Sequence, residues 1–172
     1  MIVSHNHYDH LDDKTVRDLA DKNNIHVVVP LGLKPFFIER GYNKFTELDW
    51  GQSVSVEGIK VTAEPSVNDS TRSTSDHNKT LWSSWIISSF QQRIFFISDT
   101  VYSKIILNLV GDKYGSFDFA ILPTGAFEPR ELLWTSHTTP EEAISIGIDV
   151  RTKTLIASHW CIISSSSDRP MF

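Results

Sequence analysis

The chain has 172 residues, of which 40% are hydrophobic and 22% are charged, as in a soluble globular domain with a sizeable core. The formal net charge is −5, and no cluster of Lys or Arg stands out, which argues against a nucleic-acid partner. The single cysteine and the lack of any apolar run near ~20 residues predict an intracellular protein, either cytoplasmic or peripheral on internal membranes.

The first half of the chain alternates helical stretches with short β-branched or aromatic runs. Asp12 is a suitable N-cap for the first helix, and Gly41 a suitable end for the second. A polar loop without hydrophobic periodicity is expected at residues 68–78. The predicted elements are a helix at 11–22, a strand at 26–30, a helix at 33–41, and strands at 53–56, 59–63 and 81–88.

The second half continues this alternation. Its clearest helix start is the capping box from Thr139 to Glu142, with Pro140 at the first helical position. The serine-rich residues 164–172 predict a disordered tail after a single domain over residues 1–163. The predicted elements are a strand at 93–97, a helix at 101–110, a strand at 117–122, a helix from the capping box to about residue 150, and a strand at 154–157.

The strongest indication of function is the stretch Ser-His-Asn-His-Tyr-Asp-His at residues 4–10. His5 and His7 lie two residues apart just past an apolar strand end, so both side chains face one side and can bind a metal such as Zn²⁺. Asp9 and His10 follow as the chain turns towards a helix, where they can serve a second ion about 3.5–4 Å away. A surface loop that is rich in histidine by chance is the alternative, which this spacing disfavours.

Two later residues have the same placement. Asp99 and His159 each come directly after a hydrophobic strand, where open sheets present functional groups. By itself, Asp99 could be a helix N-cap and His159 a hydrogen-bonded core histidine. Together with the first motif, both are better interpreted as metal ligands, because a buried carboxylate needs a positive partner.

The motif His5-x-His7-x-Asp9-His10 resembles the signature of the metallo-β-lactamase superfamily. Within that superfamily, the chain resembles the N-acyl-phosphatidylethanolamine-hydrolysing phospholipase D branch. The motif alone is specific only for a metal site, whereas Gly-Ala-Phe-Glu-Pro-Arg and Leu-Trp-Ser-Ser-Trp point to this branch. The matching stretches, in family order, are residues 4–12, 29–33, 47–50, 78–85, 98–100, 125–130, 137, 140–143 and 159–160.

This resemblance implies an α/β fold, a four-layered αβ/βα sandwich, with two zinc ions at its edge. It implies that the first ion binds His5 and His7, the second ion Asp9, His10 and His159, and that Asp99 bridges them. The expected substrate is a phospholipid or a small phosphodiester, with peripheral membrane contact, and a homodimer is left open.

The resemblance also assigns residues to catalysis and to the substrate. Asp9 and His137 are the candidate catalytic residues, with His137 on the phosphate or the leaving group. A plain loop histidine before a helix cap is the alternative for His137. The segment of Leu132, Leu133 and Trp134 matches the family's substrate entrance, although three apolar residues could equally pack against a neighbouring loop.

One ligand position departs from the family. Relatives continue Pro-x-x-His after the strand that ends at Glu64, and that histidine is the third protein ligand of the first metal. This chain has Asn68 there, and a neutral amide is a poor substitute for imidazole at zinc. We therefore expect about one tightly bound zinc, and Asp69 or His77 of the same loop is the alternative ligand.

Further departures predict an incomplete sandwich. Relatives have a β-rich section before the histidine motif and continue after His159-Trp160 with Gly-Thr-Phe. They also have a glycine where this chain has Val101, so the turn beside Asp99 is expected to differ. The expected explanations are a fragment, an incomplete gene model or a decaying copy.

Three functions follow from the sequence. The leading hypothesis is a zinc-dependent phosphodiesterase that converts N-acyl-phosphatidylethanolamine to N-acylethanolamine and phosphatidic acid. The alternatives are a hydrolase of a small soluble phosphate ester or lactone, and a non-catalytic remnant of the same fold. A metal count separates the remnant from the enzymes.

Overall fold

Two β-sheets form the centre of the fold in the computed structural model, which describes residues 1–160. Each sheet is covered on one face by helices. In chain order, the elements are α1 (Asp13–Asp18), β1 (His26–Pro30), α2 (Lys34–Ile38), β2 (Lys44–Leu48), β3 (Ser53–Val56), β4 (Ile59–Glu64), β5 (Ser84–Ser88), β6 (Arg93–Phe96), α3 (Lys104–Tyr114), β7 (Phe117–Pro123), α4 (Arg130–Leu133), α5 (Pro140–Asp149) and β8 (Thr152–Ser158).

The two sheets differ in their strand directions. The smaller sheet pairs β1 with β2 in parallel, and Ile2 forms an isolated parallel bridge to Val28 of β1. The larger sheet has the order β3-β4-β5-β6-β7-β8, antiparallel as far as β6 and parallel from β6 to β8. The tight β3–β4 turn has Glu57 and Gly58 at positive φ, as a type I′ hairpin requires. The parallel pairs are joined instead through α3 and α5.

The strand period of two divides the hydrophobic residues among three cores. In β1, Val27 and Val29 face α1 and α2, while Val28 joins Trp85 of β5 in the core between the sheets. The next residue, Ile86, lies on the opposite face of the large sheet, in the core beneath α3 and α5. The result is four layers, α1/α2, small sheet, large sheet and α3/α5, which is the predicted α/β sandwich.

The structure differs from the sequence predictions at several element boundaries. The first helix ends at Asp18, not residue 22, because Leu19 has an extended ψ of 128°. The strand predicted at 81–88 begins at Ser84. The helix predicted at 101–110 begins only at Lys104, because the backbone N–H of Val101 donates to the carbonyl of Val67. This helix continues to Tyr114.

Two elements of the structure were not predicted from the sequence. The strand β2 carries the pattern Lys-Phe-Thr-Glu-Leu, which is too mixed to identify without its partner β1. The helix α4 has only four residues. The predicted tail at 164–172 and the last residues of the predicted domain lie outside the described residues. Within residues 1–160, no helix is long and apolar enough to cross a membrane.

Gly111 lets α3 approach α5 closely. A Cβ at this position would overlap the carbonyl oxygen of Asp149. An Ala in a helix interior is favoured over Gly by about 0.5–1 kcal/mol, but overpacking typically costs about 1–3 kcal/mol. We therefore expect Gly111→Ala to lower the free energy of unfolding, measured by urea denaturation.

Gly147→Ala in α5 is the matched control. Its Cβ would meet the side-chain ends of Leu155 and Thr152, each at 3.3 Å, and of Leu122 at 3.8 Å, and these can shift. We expect this variant to be as stable as the original chain or more so. Equal stability of the two variants would contradict the assigned contact.

Candidate metal centre

The histidine motif lies at the edge of the small sheet, held from both sides. The backbone of Val3 bonds Val28 of β1, which fixes the chain immediately before His5. Arg72, from the 68–78 loop, donates to the carbonyl oxygens of Asn6 and Leu11 at 2.9 and 2.7 Å. Its guanidinium also lies 4.2 Å from the ring centroid of Tyr8, so the Arg72 side chain contacts the motif at three points.

Two serine hydroxyls orient the imidazoles. The Ser4 hydroxyl lies 3.0 Å from Nδ1 of His5, and the Ser98 hydroxyl lies 2.9 Å from Nδ1 of His10. A hydroxyl oxygen that accepts the Nδ1 proton fixes the tautomer, so that Nε2 can bind a metal. Sequence analysis did not assign these serines. Ser4 directly precedes His5, but no local signal connects Ser98 with His10.

Asp99 and His159 reach this edge from the large sheet. Asp99 follows β6, and His159 follows β8 with a positive φ of 56°. Gly125, which follows β7, lies against His159 so closely that a Cβ would overlap the carbonyl oxygen of His159. The carboxyl ends of three neighbouring parallel strands therefore meet the histidine motif at one place.

The structure brings together all six residues that the sequence predicted as ligands. Nε2 of His10 lies 3.1 Å from Oδ2 of Asp99, and Nε2 of His5 lies 3.8 Å from the same oxygen. Nε2 of His159 lies 3.4 Å from Asp9 and 3.5 Å from Asp99. Within each of two groups, all ligand atoms lie within 4.8 Å of one another, and the groups are Asp9, His10, Asp99 and His159, and His5, His7 and Asp99. The two groups share Asp99.

The charges of this cluster favour a bound cation. Burial and the neighbouring imidazoles lower the pKa of His5 to about 3, so His5 is neutral at physiological pH. Burial also lowers the pKa of His10, but Asp9 and Asp99 outweigh it and raise that pKa to about 9. Burial raises the pKa of Asp99, but the close approach of His10 at 3.1 Å and the charges of the other histidines lower it to about 2. The buried Asp99 and the more exposed Asp9 are therefore both ionised and attract positive charge, which protonated His10 supplies only in part.

Several buried nitrogen and oxygen atoms of the cluster lie close to one another but have no hydrogen-bond partner. Among residues 1–160, these include Nε2 of His5, Nε2 of His10, Oδ1 of Asp99 and Nδ1 of His137. Buried nitrogen and oxygen atoms are normally hydrogen-bonded, and metal ligation is a recognised exception. Imidazole and carboxylate are the ligand types that zinc takes. The residues present therefore fit a pair of metal ions.

His137 faces this cluster, as the sequence analysis expected. Its Nδ1 lies 3.9 Å from Oδ1 of Asp99, and its ring stacks on that of His159 with the centroids 5.5 Å apart. Arg130 fixes the segment, since it donates to the His137 carbonyl and pairs with Glu142. Leu132 and Trp134 are exposed on and just after α4, while Leu133 is half-buried. Whether Trp134 lines the substrate entrance stays a prediction.

The family position of the third ligand to the first ion holds Asn68, which is half-buried at the start of the 68–78 loop. Its neighbour Asp69 approaches the histidine motif, with Oδ1 lying 3.5 Å from Nε2 of His7. The structure thus adds Asp69 to the rim of the cluster. The expected count of about one tightly bound zinc stays a prediction.

Comparisons with known proteins agree with this geometry. N-acyl-phosphatidylethanolamine-hydrolyzing phospholipase D 1 of Caenorhabditis elegans is 37% identical over 169 residues, which cover 92% of this chain and 48% of the nematode protein. The mitochondrial N-acyl-phosphatidylethanolamine-hydrolyzing phospholipase D of Saccharomyces cerevisiae is 30% identical over 166 residues, covering 93% of this chain and 36% of the yeast protein. The chain therefore spans less than half of the length of either relative.

Solved structures share the fold at low sequence identity. The isothiocyanate hydrolase from Delia radicum gut bacteria superposes with a TM-score of 0.70 at 16% identity, covering 95% of this chain and 64% of that one. CmlA, a diiron β-hydroxylase from Streptomyces venezuelae, superposes with a TM-score of 0.67 at 16% identity, covering 92% and 35%. Likeness at this level shows the fold alone.

The family model described as the beta-lactamase superfamily domain matches residues 1–160, the whole described part of the chain. The four layers, the shared carboxylate and the two phospholipase D relatives lead to the same assignment. The chain belongs to the metallo-β-lactamase superfamily and, within it, to the branch of N-acyl-phosphatidylethanolamine-hydrolysing phospholipase D-like proteins.

Proposed function

We propose that this chain forms the dinuclear zinc site of a phospholipase D-type hydrolase whose substrate is N-acyl-phosphatidylethanolamine. The observation that carries this proposal is the pair of ligand groups that share Asp99. The names of the nematode and yeast relatives supply the substrate class. In this reaction, water oxygen bonds to phosphorus, the bond from phosphorus to the ethanolamine oxygen breaks, and the leaving oxygen gains a proton. The products are phosphatidic acid and N-acylethanolamine.

The ligand types favour zinc over harder cations. Four imidazoles and two carboxylates belong to the two groups, and imidazole suits zinc, iron and copper better than magnesium or calcium. When bound, the ions would supply Lewis acidity and lower the pKa of coordinated water from ~15.7 towards ~7. Metal analysis of the purified chain would distinguish zinc from iron.

The residues of the chain have separable tasks in this proposal. Asp99 and the four ligand histidines hold the ions, and Asp9 both holds an ion and lies at the open side, where it can accept a proton. Burial lowers the pKa of His137, which keeps this imidazole neutral and able to donate a hydrogen bond. At its position beside Asp99, His137 would bind a phosphoryl oxygen or the leaving oxygen.

The segment before His137 supports a lipid substrate. Leu132 is 73% exposed and Trp134 is 58% exposed, although both are large and apolar. Residues of this kind beside a polar site would contact acyl chains or a lipid surface. The proposed function therefore includes peripheral contact of this segment with a membrane surface.

The first test compares Asp99→Ala with His26→Ala. Asp99 belongs to both ligand groups, so its removal should lower zinc content and reduce hydrolysis by more than ~100-fold, beyond what changes around metal ligands cause. His26 lies outside the cluster, with its ring bonded to Thr46, so this control should keep both properties. Zinc is measured by mass spectrometry, and the product is N-acylethanolamine released from vesicles.

The outcomes of this test separate the three hypotheses. Hydrolysis of bis(4-nitrophenyl) phosphate without any release from vesicles would favour a soluble substrate. Zinc binding without hydrolysis of either compound would favour the non-catalytic remnant. Undiminished hydrolysis by Asp99→Ala would contradict the proposed site itself.

The second test addresses the apolar segment. We expect Trp134→Ser to raise KM several-fold for vesicles of N-acyl-phosphatidylethanolamine and to leave hydrolysis of bis(4-nitrophenyl) phosphate unchanged, because only the lipid reaches this side chain. Ile148→Ser, an equally apolar and exposed change at the far end of α5, is the control. Equal KM values for Trp134→Ser and the control would show that this segment does not bind the substrate.

A further inference from the structure

We propose that Asp69 supplies the third protein ligand of the first metal ion, in place of the imidazole that Asn68 lacks, and that His77 positions its carboxylate. This inference rests on the proposed function, because it concerns the same dinuclear site. It assigns a metal-binding role to a residue that the family pattern leaves without one.

The separation of Asp69 and His7 is the first support. Two ligand atoms that are each about 2.0–2.2 Å from one tetrahedral ion are roughly 3.3–3.6 Å apart. Oδ1 of Asp69 lies 3.5 Å from Nε2 of His7, within this range. The same range includes the pair of His159 and Asp99 at 3.5 Å in the second group. Asp69 lies outside the group of His5, His7 and Asp99 whose ligand atoms are within 4.8 Å of one another, so its side chain would have to move towards His5 and Asp99 to complete the set.

The second support is the division of the Asp69 carboxylate between two imidazoles. Oδ1 faces His7, and Oδ2 lies 3.2 Å from Nε2 of His77. Ligating carboxylates are normally held by a hydrogen bond to their other oxygen, which orients the ligating one. His77 is 64% exposed, and an ion pair at such a site contributes little to stability. The arrangement therefore suits orientation better than stabilisation.

The third support is the anchoring of the 68–78 loop. At its start, the N–H of Val67 bonds the Thr100 hydroxyl at 3.1 Å, next to Asp99. Ser70 donates from its hydroxyl to the carbonyl of Thr80 at 2.6 Å. Arg72 then joins the loop to the histidine motif. Asp69 lies between these anchors, so its approach to His7 is set by both sides of the loop.

The chemistry of the Asn68 and Asp69 side chains also supports Asp69 as the ligand. The amide oxygen of Asn68 is neutral, whereas the carboxylate of Asp69 is anionic and is an accepted ligand of zinc. With Asp69 in place of the amide, the first site has two imidazoles and two carboxylates. We therefore expect two zinc ions per chain, which replaces the count of about one that Asn68 alone predicted.

The test is a zinc titration of the chelator-treated chain against a chromophoric competitor, with total zinc measured by mass spectrometry. The original chain should bind two ions. Asp69→Asn should keep one and bind the other at least ~10–100-fold more weakly, because a direct ligand matters no less than the groups around it. Asp18→Asn, the same change at an exposed residue of α1, is the matched control and should retain both ions.

Two further variants separate ligation from folding. In the Asp69→Asn background, Asn68→His should restore the second ion, because it returns an imidazole to the family position. His77→Ala should weaken the first site less than Asp69→Asn. It should also keep the visible absorption of the Co²⁺-loaded chain, which Asp69→Asn should change.

Each result of the titration has a defined meaning. Equal affinities with and without Asp69 would overturn the inference while the proposed function stands. A single ion in the original chain would overturn the inference and would also contradict the dinuclear site of the proposed function. Loss of both ions in Asp69→Asn without rescue by Asn68→His would assign Asp69 to folding and would also overturn it. If the original chain binds no metal, the proposed function itself fails.

Discussion

The carboxylate of Asp99 is the constraint on which the rest of the site depends. It is only 3% exposed, and His5, His10, His137 and His159 surround it within 3.1–3.9 Å. A buried anion is costly unless positive charge accompanies it. Protonated His10 supplies part of that charge, and the two ligand groups that share Asp99 provide room for a pair of metal ions.

The layers of the fold determine how that burial is achieved. Asp99 and His159 follow parallel strands of the large sheet, while the histidine motif follows a segment paired with the small sheet. The site thus lies where the two sheets meet, and neither sheet could form it alone. The core between the sheets, with Trp85 and Val28, fixes their separation and hence the distances between ligands. Hydrophobic packing and metal chemistry are coupled through this one core.

The rim of the site differs from its centre in exposure and in function. His5 and Asp99 are closed off, whereas His7, Asp9 and Asp69 are progressively open to solvent. Substitutions at the centre leave a buried charge without a partner, so they cost both metal and stability. Side chains at the rim are less constrained by packing, and this gives a physical reason for the proposal that Asp69 replaces Asn68 as a ligand.

The sequence by itself predicted most of the strands and helices and the grouping of the candidate ligands, because strand periodicity, the capping box at Thr139 and the spacing of His5, His7, Asp9 and His10 are local properties of the chain. The four layers were implied by the resemblance to the superfamily. The sequence also predicted Asp99 and His159 directly after strands, which is where the structure has them. Only the tertiary structure identified β2 and three contacts of the site. These contacts are the hydrogen bond between Ser98 and His10, the binding of Arg72 to the histidine motif, and the approach of Asp69 to His7. These contacts join residues far apart in sequence through polar side chains and loops, where no hydrophobic period exists to be detected. Their distances are set by how the two sheets pack.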